Sequence, residues 1–183
     1  MQARAEIQDI DAARDLWINA AEYAADVAEK MAEMGLHKQV ANRILEPFQW
    51  MHTIVTATEW ANFFKLRLHP DADPNIELLA RQMQSAMDTS TPVERWFHAP
   101  YINDAYQMFD RTQAMISSAR CARVSYLNHD GTAPNAHKDM ELALKLEESG
   151  HWSPFEHVAI ADDPWAQNAN FRGWHSFRNY MGK

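Results

Sequence analysis

Apolar residues along this chain recur mostly at steps of three and four, which is the spacing of one face of a helix. The longest such run covers residues 9–34 and is followed by Gly35, a residue type that commonly ends helices in a left-handed conformation. The same pattern predicts shorter helices over residues 38–45, 75–87 and 139–148. Helices therefore account for most of the predicted structure.

Shorter apolar stretches near the middle and the end of the chain predict strands. Residues 121–126 form one candidate, and residues 157–161 and 170–180 supply others. A further helix is predicted over 104–118, whereas 53–68 is ambiguous because it opens with β-branched residues and ends with a helical pattern. Helices outnumber strands, so we predict an α+β fold, helix-rich, with a small and mostly antiparallel sheet.

Length and composition narrow the functional classes. At 183 residues the whole chain, 1–183, is predicted to form a single domain. The formal charge of −8 argues against a broad basic surface for nucleic acid. The sequence has no run of about 18 apolar residues that would span a membrane, and its acidic start does not resemble a signal peptide. We therefore predict a cytoplasmic protein without nucleic-acid or membrane partners.

Several common catalytic signatures are missing from the sequence. Neither GxGxxG nor GxxxxGK[ST] is present, which argues against a dinucleotide-binding Rossmann domain, and the nine histidines lack metal-ligand spacing, so no metal site is predicted. The only cysteine, Cys121, fits a reducing compartment. It is more typical of a small buried hydrophobe than of a nucleophile, although the flanking Arg120 and Arg123 would lower its thiol pKa.

Two arginines beside apolar segments are the first candidates for ligand binding. Arg43 lies within residues 42–47, and Arg67 follows residues 63–66. One interpretation places each side chain at the wet edge of the core or in a structural ion pair. The other is that the planar guanidinium holds a phosphate or the polar edge of a base through paired hydrogen bonds. The residues alone favour the first interpretation for either arginine singly.

A third candidate is the stretch Gly150-His-Trp-Ser-Pro-Phe-Glu-His157. It combines two histidines, a serine, a glutamate and two aromatic residues around Pro154. Polar groups among aromatic rings suit the wall of a pocket for a flat heterocycle. The alternative is a buried turn between a helix and a strand whose polar groups satisfy one another.

Taken together, two blocks of this sequence resemble the flavin-dependent thymidylate synthases. The first block contains Arg43-Ile-Leu-Glu-Pro47, Thr56-Ala-Thr-Glu-Trp-Ala-Asn-Phe-Phe-Lys-Leu-Arg67 and Pro70-Asp-Ala-Asp-Pro74. It is similar to the family's Arg-x-x-Leu-Pro, Asn-x-Arg…Asn-Phe-x-x-Leu-Arg and Ala-Gln elements. The second block, Arg120-Cys-Ala-Arg-Val-Ser-Tyr126 and the stretch ending at His157, is similar to its Ala-Arg-Val-Ser and (Ser/Thr)-Pro-Phe-Glu-His elements. The joint occurrence of both blocks is specific.

The order of the blocks indicates a rearranged long form, because the second block comes first in the short members of that family. The family's Arg-His-Arg-x-x-Ser element, which holds flavin and nucleotide, has no match in this sequence. The nearest string, Trp174-His-Ser-Phe-Arg-Asn179, does not fit it. We therefore expect that the chain lacks an upstream portion carrying this element and that it is an incomplete enzyme on its own.

The resemblance implies roles for individual residues. Arg67 matches the arginine that holds the uracil edge of dUMP and favours ionisation at N3, so it is the catalytic candidate. Arg43 matches a second arginine that contacts dUMP. The residues at flavin (FAD) positions are Thr56, Asn62, Ser125, His151 and Ser153.

Four positions depart from the family pattern. Thr56 and Thr58 stand where the family has Asn and Arg, and Asp73 and Asn75 replace the Gln and Glu of Ala-Gln-x-Glu. Asp73 adds a negative charge near a site that is expected to bind a phosphate and an anionic flavin.

The resemblance also implies FAD as cofactor, NADPH and methylenetetrahydrofolate as co-substrates, and dUMP as the substrate that becomes dTMP. Reduced flavin supplies the reducing equivalents while arginine donors activate dUMP electrostatically, so no thiolate is needed. A homotetramer with sites between its subunits is implied as well.

Two other classes of function remain open. One is a non-catalytic subunit that keeps the fold and binds nucleotide or flavin. The other is a helical interaction protein whose 7 Trp and 10 Met serve a partner surface. Bound flavin absorbs visible light, so an absorbance spectrum distinguishes the flavoproteins from the interaction protein.

Overall fold

Residues 2–51 and 52–183 form two units, each of which makes most of its contacts internally. A computed structural model describes residues 7–102, 108–124 and 134–182. These residues contain six α-helices and two small antiparallel sheets, which confirms the predicted helix-rich α+β class. No helix among them is long and apolar enough to cross a bilayer.

The first unit is built on one long helix, α1 (Ile10–Glu33). Its N-terminus is capped by the Asp9 carboxylate, which accepts the Ala12 N–H at 2.9 Å. Its end is marked by Gly35, whose φ of +90° is costly for any residue with a side chain. The apolar period therefore predicted this helix correctly.

A second helix in this unit changes from α to 3-10 geometry ahead of a proline. The short α2 (Lys38–Ala41) passes directly into a 3-10 helix, Asn42–Phe48, which contains Pro47. Pro47 has no N–H, and its ring crowds the carbonyl four residues earlier, so α-helical hydrogen bonding cannot continue. The Phe48 ring packs edge-on against Trp17 of α1, with ring centroids 5.1 Å apart.

The second unit begins with an irregular segment that leads into two helices. Residues 53–60 have no regular structure, and α3 follows at Ala61–Arg67, so only the end of the ambiguous stretch is helical. The next helix, α4 (Pro74–Thr89), begins at Asp73, whose carboxylate accepts the Asn75 N–H at 2.9 Å. The helix α4 lies close to its predicted position, and α3 occupies the end of the stretch that was ambiguous.

The core of the second unit lies around α5 (Arg111–Ala122) and α6 (Ala136–Glu148), with a 3-10 helix at Ser153–His157 packed on α5. The Asp110 carboxylate caps α5 through the Thr112 N–H at 2.7 Å, so this helix begins later than the sequence pattern predicted. The buried core residues are Phe97, Ala114, Met115, Ala119, Ala143, Phe155, Val158, Phe177 and Met181.

Five short strands complete this unit. Strands β1 (Phe97–His98), β2 (Ala159–Ala161) and β5 (Trp174–Ser176) form an antiparallel sheet in the order β1-β2-β5, and β3 (Gln167–Asn168) pairs with β4 (Phe171–Arg172) as a hairpin. The register pairs Phe97 with Ile160, Ala159 with Ser176 and Gln167 with Arg172.

The strands near the end of the chain are shorter than predicted. The predicted strand over 157–161 starts only at β2, because His157 still belongs to the preceding 3-10 helix. The stretch 170–180 is divided between β4, β5 and a 3-10 helix at Phe177–Tyr180. These strand predictions are therefore correct only in part.

The strand predicted over 121–126 is wrong, because its first two residues end α5. Arg120 and Arg123 are three positions apart, a spacing that puts both on one face of a helix but on opposite faces of a strand. Both guanidinium groups donate to the carboxylate of Asp139 on α6, Arg120 Nε at 2.9 Å. The last two residues of the predicted strand lie outside the described part of the chain.

Candidate functional site

The two sequence blocks meet at Thr56 and His157. Thr56 Oγ1 lies 3.3 Å from Nδ1 of His157. Asn170, in the turn of the β3–β4 hairpin, donates from its side-chain amide to the Thr56 carbonyl, and its own carbonyl accepts the Thr58 N–H at 3.0 Å. The irregular segment before α3 is therefore held by both the hairpin and the 3-10 helix that carries His157.

The residues that depart from the family pattern have partners within this chain. The Thr58 hydroxyl accepts the Arg172 N–H at 2.6 Å, and Arg172 Nε donates to Glu59 at 2.8 Å. Thr56 contacts His157, as described above, and Asp73 caps α4. These three departures thus coincide with hydrogen bonds that secure the segments before α3 and α4.

A cleft of about 610 Å³ lies beside the contact between Thr56 and His157. We call it the polar cleft, because most of the residues that line it are polar. Besides an ion pair, its lining includes Thr56, His157, Asn168, Asn170, Phe171 and Asn179. Amide, hydroxyl and imidazole groups therefore share this surface with an aromatic ring.

The charges in the polar cleft cancel. Arg178 NH1 donates to the carboxylate of Glu156, so these two opposite charges are paired. Burial lowers the pKa of His157 below its usual value, so this imidazole is neutral at pH 7. The cleft therefore offers hydrogen-bonding groups without an unpaired positive charge.

A second cleft, of about 480 Å³, shares Thr56 and Phe171 with the polar cleft. It is also lined by Arg95 and His98. The pKa of His98 is lowered by burial first, and further by the positive charges of Arg95 and of His157 when protonated. Two imidazoles that stay neutral at pH 7 therefore lie close together at this junction.

A third cleft, of about 400 Å³, lies at the end of α3 and contains Arg67. Its lining includes Lys65, Arg67, His69 and Asp71. We call it the cationic cleft, after Lys65 and Arg67. Both cations occupy the last turn of α3, where the helix dipole favours positive charge. The Arg67 guanidinium is exposed and makes no hydrogen bond to any described residue. It is therefore available to an anionic or imide-bearing ligand.

The other predicted site residues lie elsewhere. Asn62, His151 and Ser153 are exposed and line none of the three clefts. Arg43 belongs to the first unit, where it is exposed in the 3-10 helix. Ser125 lies outside the described residues. Within the described chain, Thr56 is thus the one predicted flavin residue that lines the polar cleft.

Cys121 is a core residue. It is buried in α5, and burial raises the pKa of its thiol to about 12. A thiol with this pKa remains protonated near neutral pH, so it is a poor nucleophile. The flanking arginines do not lower its pKa, because both guanidinium groups bind Asp139.

Sequence reasoning missed the asparagines of the polar cleft and the buried Asp139. Asn168, Asn170 and Asn179 match no motif, and they come together only through the hairpin and the last 3-10 helix. One signal was present: Asn179 belongs to the string that was compared with the missing Arg-His-Arg-x-x-Ser element.

Comparison with known proteins identifies the family. The family model of Thy1, thymidylate synthase complementing protein, matches residues 2–93, which is half of the chain. No curated protein and no solved structure matches the chain. The matched region includes Arg43, Thr56 and Arg67, and it confirms the resemblance inferred from the motifs. The match supports a thymidylate synthase-like function at the level of the family, and the chain belongs to the thymidylate synthase complementing protein family.

Proposed function

We propose that this protein converts dUMP to dTMP by flavin-dependent reductive methylation, with methylenetetrahydrofolate as the one-carbon donor and NADPH as the reductant. Family membership supports thymidylate synthase chemistry in general terms. The observation that carries the specific proposal is the position of Arg67. Its guanidinium lies in the cationic cleft and makes no hydrogen bond to any other described residue.

Arg67 has the chemistry that activation of a uracil ring requires. A guanidinium presents parallel N–H donors, which match a uracil carbonyl and, once N3 has lost its proton, that ring nitrogen. Donors of this kind stabilise negative charge that develops on the ring when N3 loses its proton. Lys65 and His69 line the same cleft, and Lys65 adds positive charge for the dUMP phosphate. We include Arg43 as a second dUMP contact.

The polar cleft fits the uncharged part of FAD. Its volume of about 610 Å³ lies within the range of small-molecule sites, and its amides suit the polar edge of a flat ring. Bound flavin would supply the two electrons that convert a transferred methylene group to methyl. Thr56 lines this cleft, and we propose that Asn62, Ser125, His151 and Ser153 contact FAD outside it.

Exposed apolar side chains support the proposal of a homotetramer. In α1, Leu16 and Tyr23 lie seven positions apart on one helix face, and they are 70% and 71% exposed. In α4, the predicted apolar stripe includes Ile76 and Leu79, which are also exposed. Contacts between subunits would cover such faces. We also propose a cytoplasmic location, for which the single unpaired cysteine is the argument.

Calorimetric titration of the protein with dUMP tests this proposal, and dCMP is the matched control ligand. We expect dUMP to bind about tenfold or more tightly than dCMP, because the cytosine ring places an amino donor where Arg67 needs an acceptor. Equal binding of the two nucleotides, or no binding of dUMP at millimolar concentration, would overturn the proposal.

A further inference from the structure

Asp162, His175 and Tyr180 form a chain of polar side chains in the second unit. Nδ1 of His175 lies 3.3 Å from Oδ2 of Asp162, and Nε2 of the same ring lies 2.6 Å from the Tyr180 hydroxyl oxygen. None of the three residues lines the clefts described above, and all three lie beyond the residues that the family model matches. The family match therefore assigns them no role.

Strand pairing and a short helix bring these three side chains together. His175 lies opposite Ile160 in the pairing of β2 with β5, and Asp162 directly follows β2. The Asp162 N–H donates to the Gly173 carbonyl at 2.8 Å, which extends the contact between the two segments. Tyr180 ends the 3-10 helix that follows β5. The backbone of the sheet thus holds the carboxylate and the imidazole side by side.

The Asp162 carboxylate determines which nitrogen of His175 carries the proton. Asp162 Oδ1 accepts the Asp163 N–H at 2.8 Å, and this hydrogen bond holds the pKa of Asp162 below its usual value. The ionised carboxylate accepts a proton from Nδ1, so Nε2 of the neutral imidazole accepts the Tyr180 hydroxyl proton in a hydrogen bond. The imidazole is therefore placed to remove that proton.

Aromatic neighbours hold the Tyr180 ring in place. The Phe109 ring stacks on it with centroids 6.5 Å apart, and the Phe177 ring lies 6.0 Å away. Tyr180 is nevertheless 44% exposed, whereas the His175 side chain is only 17% exposed. Solvent therefore reaches the tyrosine more readily than the imidazole that faces its hydroxyl.

We propose that Tyr180 is a nucleophile that accepts acyl groups from small activated acyl donors, with His175 as its base and Asp162 as the residue that orients the base. A hydroxyl within hydrogen-bond reach of a base, and a third group that orients this base, form the arrangement that activates hydroxyl nucleophiles in enzymes. This inference depends on neither dUMP nor flavin binding.

The acyl transfer balances without a further reactant. The phenol oxygen of Tyr180 forms a bond to the acyl carbon, and its proton passes to Nε2 of His175. The bond between the acyl carbon and the leaving group then breaks, and the leaving group takes the proton from Nε2. The products are an ester on Tyr180 and the protonated leaving group.

Acetylation of the full chain by N-acetylimidazole tests this inference, with mass spectrometry of peptides to locate the acetyl groups. Tyr23 is the internal reference, because it is 71% exposed and accessibility alone would make it react faster than Tyr180. We expect Tyr180 to react at least about tenfold faster than Tyr23. Unfolding in urea should abolish this difference, because it separates Tyr180 from His175.

Two variants test the roles of the partners, and circular dichroism checks that each is folded. His175→Gln removes the base and should lower the Tyr180 rate at least about tenfold. Asp162→Asn changes a partly exposed side chain and should lower it at least about threefold. His52→Gln, an exposed substitution, is the control and should keep the wild-type rate. Tyr180 reacting no faster than Tyr23 in the wild type, or at the wild-type rate in folded Asp162→Asn, would overturn the inference.

Discussion

Thr56 and His157 lie 101 positions apart in the sequence, yet Thr56 Oγ1 is 3.3 Å from His157 Nδ1. Thr56 belongs to the part of the chain that the family model matches, whereas His157 lies beyond it. The contact joins the arginine-bearing block to the block that ends in Pro-Phe-Glu-His. Residues from the second half of the chain therefore pack against the segment around Thr56 and complete the walls of the polar cleft and of the second cleft.

The two half-buried histidines of the clefts predict a loss of stability in mild acid. Burial lowers the pKa values of both His98 and His157, so below pH 6.5 the unfolded chain binds more protons than the folded chain. The free energy of unfolding should therefore fall as the pH decreases from about 6.5 through the lowered pKa values. Urea unfolding between pH 8 and pH 5 measures this dependence.

Single substitutions test whether His98 and His157 cause this pH dependence. His157→Gln and His98→Gln should each flatten the dependence, because neither glutamine titrates. His52→Gln is the control, since His52 is exposed and has no hydrogen-bond or ion-pair partner among the described residues. An equally steep profile in the His98 and His157 double variant would contradict this account.

Arg67→Ala should weaken dUMP binding by about 1.5–3 kcal/mol, the value of a hydrogen bond to a charged group. The variant should still fold, because the Arg67 guanidinium has no hydrogen-bond partner among the described residues. Calorimetry measures the affinity, and Arg81→Ala provides a control from an exposed arginine that pairs with Glu77 on α4. If Arg67→Ala and the wild type bind dUMP equally, Arg67 does not contact the nucleotide.

Asp139→Asn should destabilise the second unit by about 3–5 kcal/mol, because it leaves two arginines without their shared carboxylate. Asp139 is fully buried, and both Arg120 and Arg123 donate to it. Chemical denaturation measures the change, with Asp88→Asn as an exposed control on α4. A loss of stability no larger than that of the control would show that the ion-pair network contributes little.

Cys121→Ala should keep any thymidylate-forming activity, with a stability cost of about 1 kcal/mol for the lost side-chain volume. The thiol is buried and its pKa is raised to about 12, so iodoacetamide should label the folded protein slowly at pH 8. Labelling should become fast once urea unfolds the chain. Rapid labelling of the folded protein, or loss of turnover in a folded Cys121→Ala variant, would instead support a thiolate mechanism.

Helices with a long apolar period could be predicted closely from the sequence, as α1 and α4 show. Their positions follow from local spacing and from end signals such as Gly35 and Asp73, which need no knowledge of the tertiary structure. Short apolar stretches carry less information. The stretch that begins at Cys121 has the composition of a strand, but its first residues are helical. In this helical arrangement the neighbouring arginines both pair with Asp139 on α6.

The candidate site was predictable only where its motif is local. The motif located Arg67, and the cationic cleft forms from its near neighbours in sequence, Lys65 to Ala72. The polar cleft, by contrast, depends on contacts between segments more than 100 positions apart, such as that of Asn170 with Thr56. No periodicity or spacing along the chain encodes such a contact, so Asn168, Asn170 and Asn179 were not found from the sequence.

Identification of the folate released with dTMP tests whether flavin supplies the electrons of the proposed reaction. The protein is incubated with dUMP, methylenetetrahydrofolate, NADPH and FAD, both alone and with an added segment that carries the family's Arg-His-Arg-x-x-Ser element. Conversion of the methylene group to methyl requires two electrons. If flavin supplies them, mass spectrometry should find dTMP together with tetrahydrofolate, and omission of FAD should stop the reaction. Formation of dihydrofolate, which shows that the folate supplied the electrons, or the absence of dTMP from both mixtures, would contradict this account.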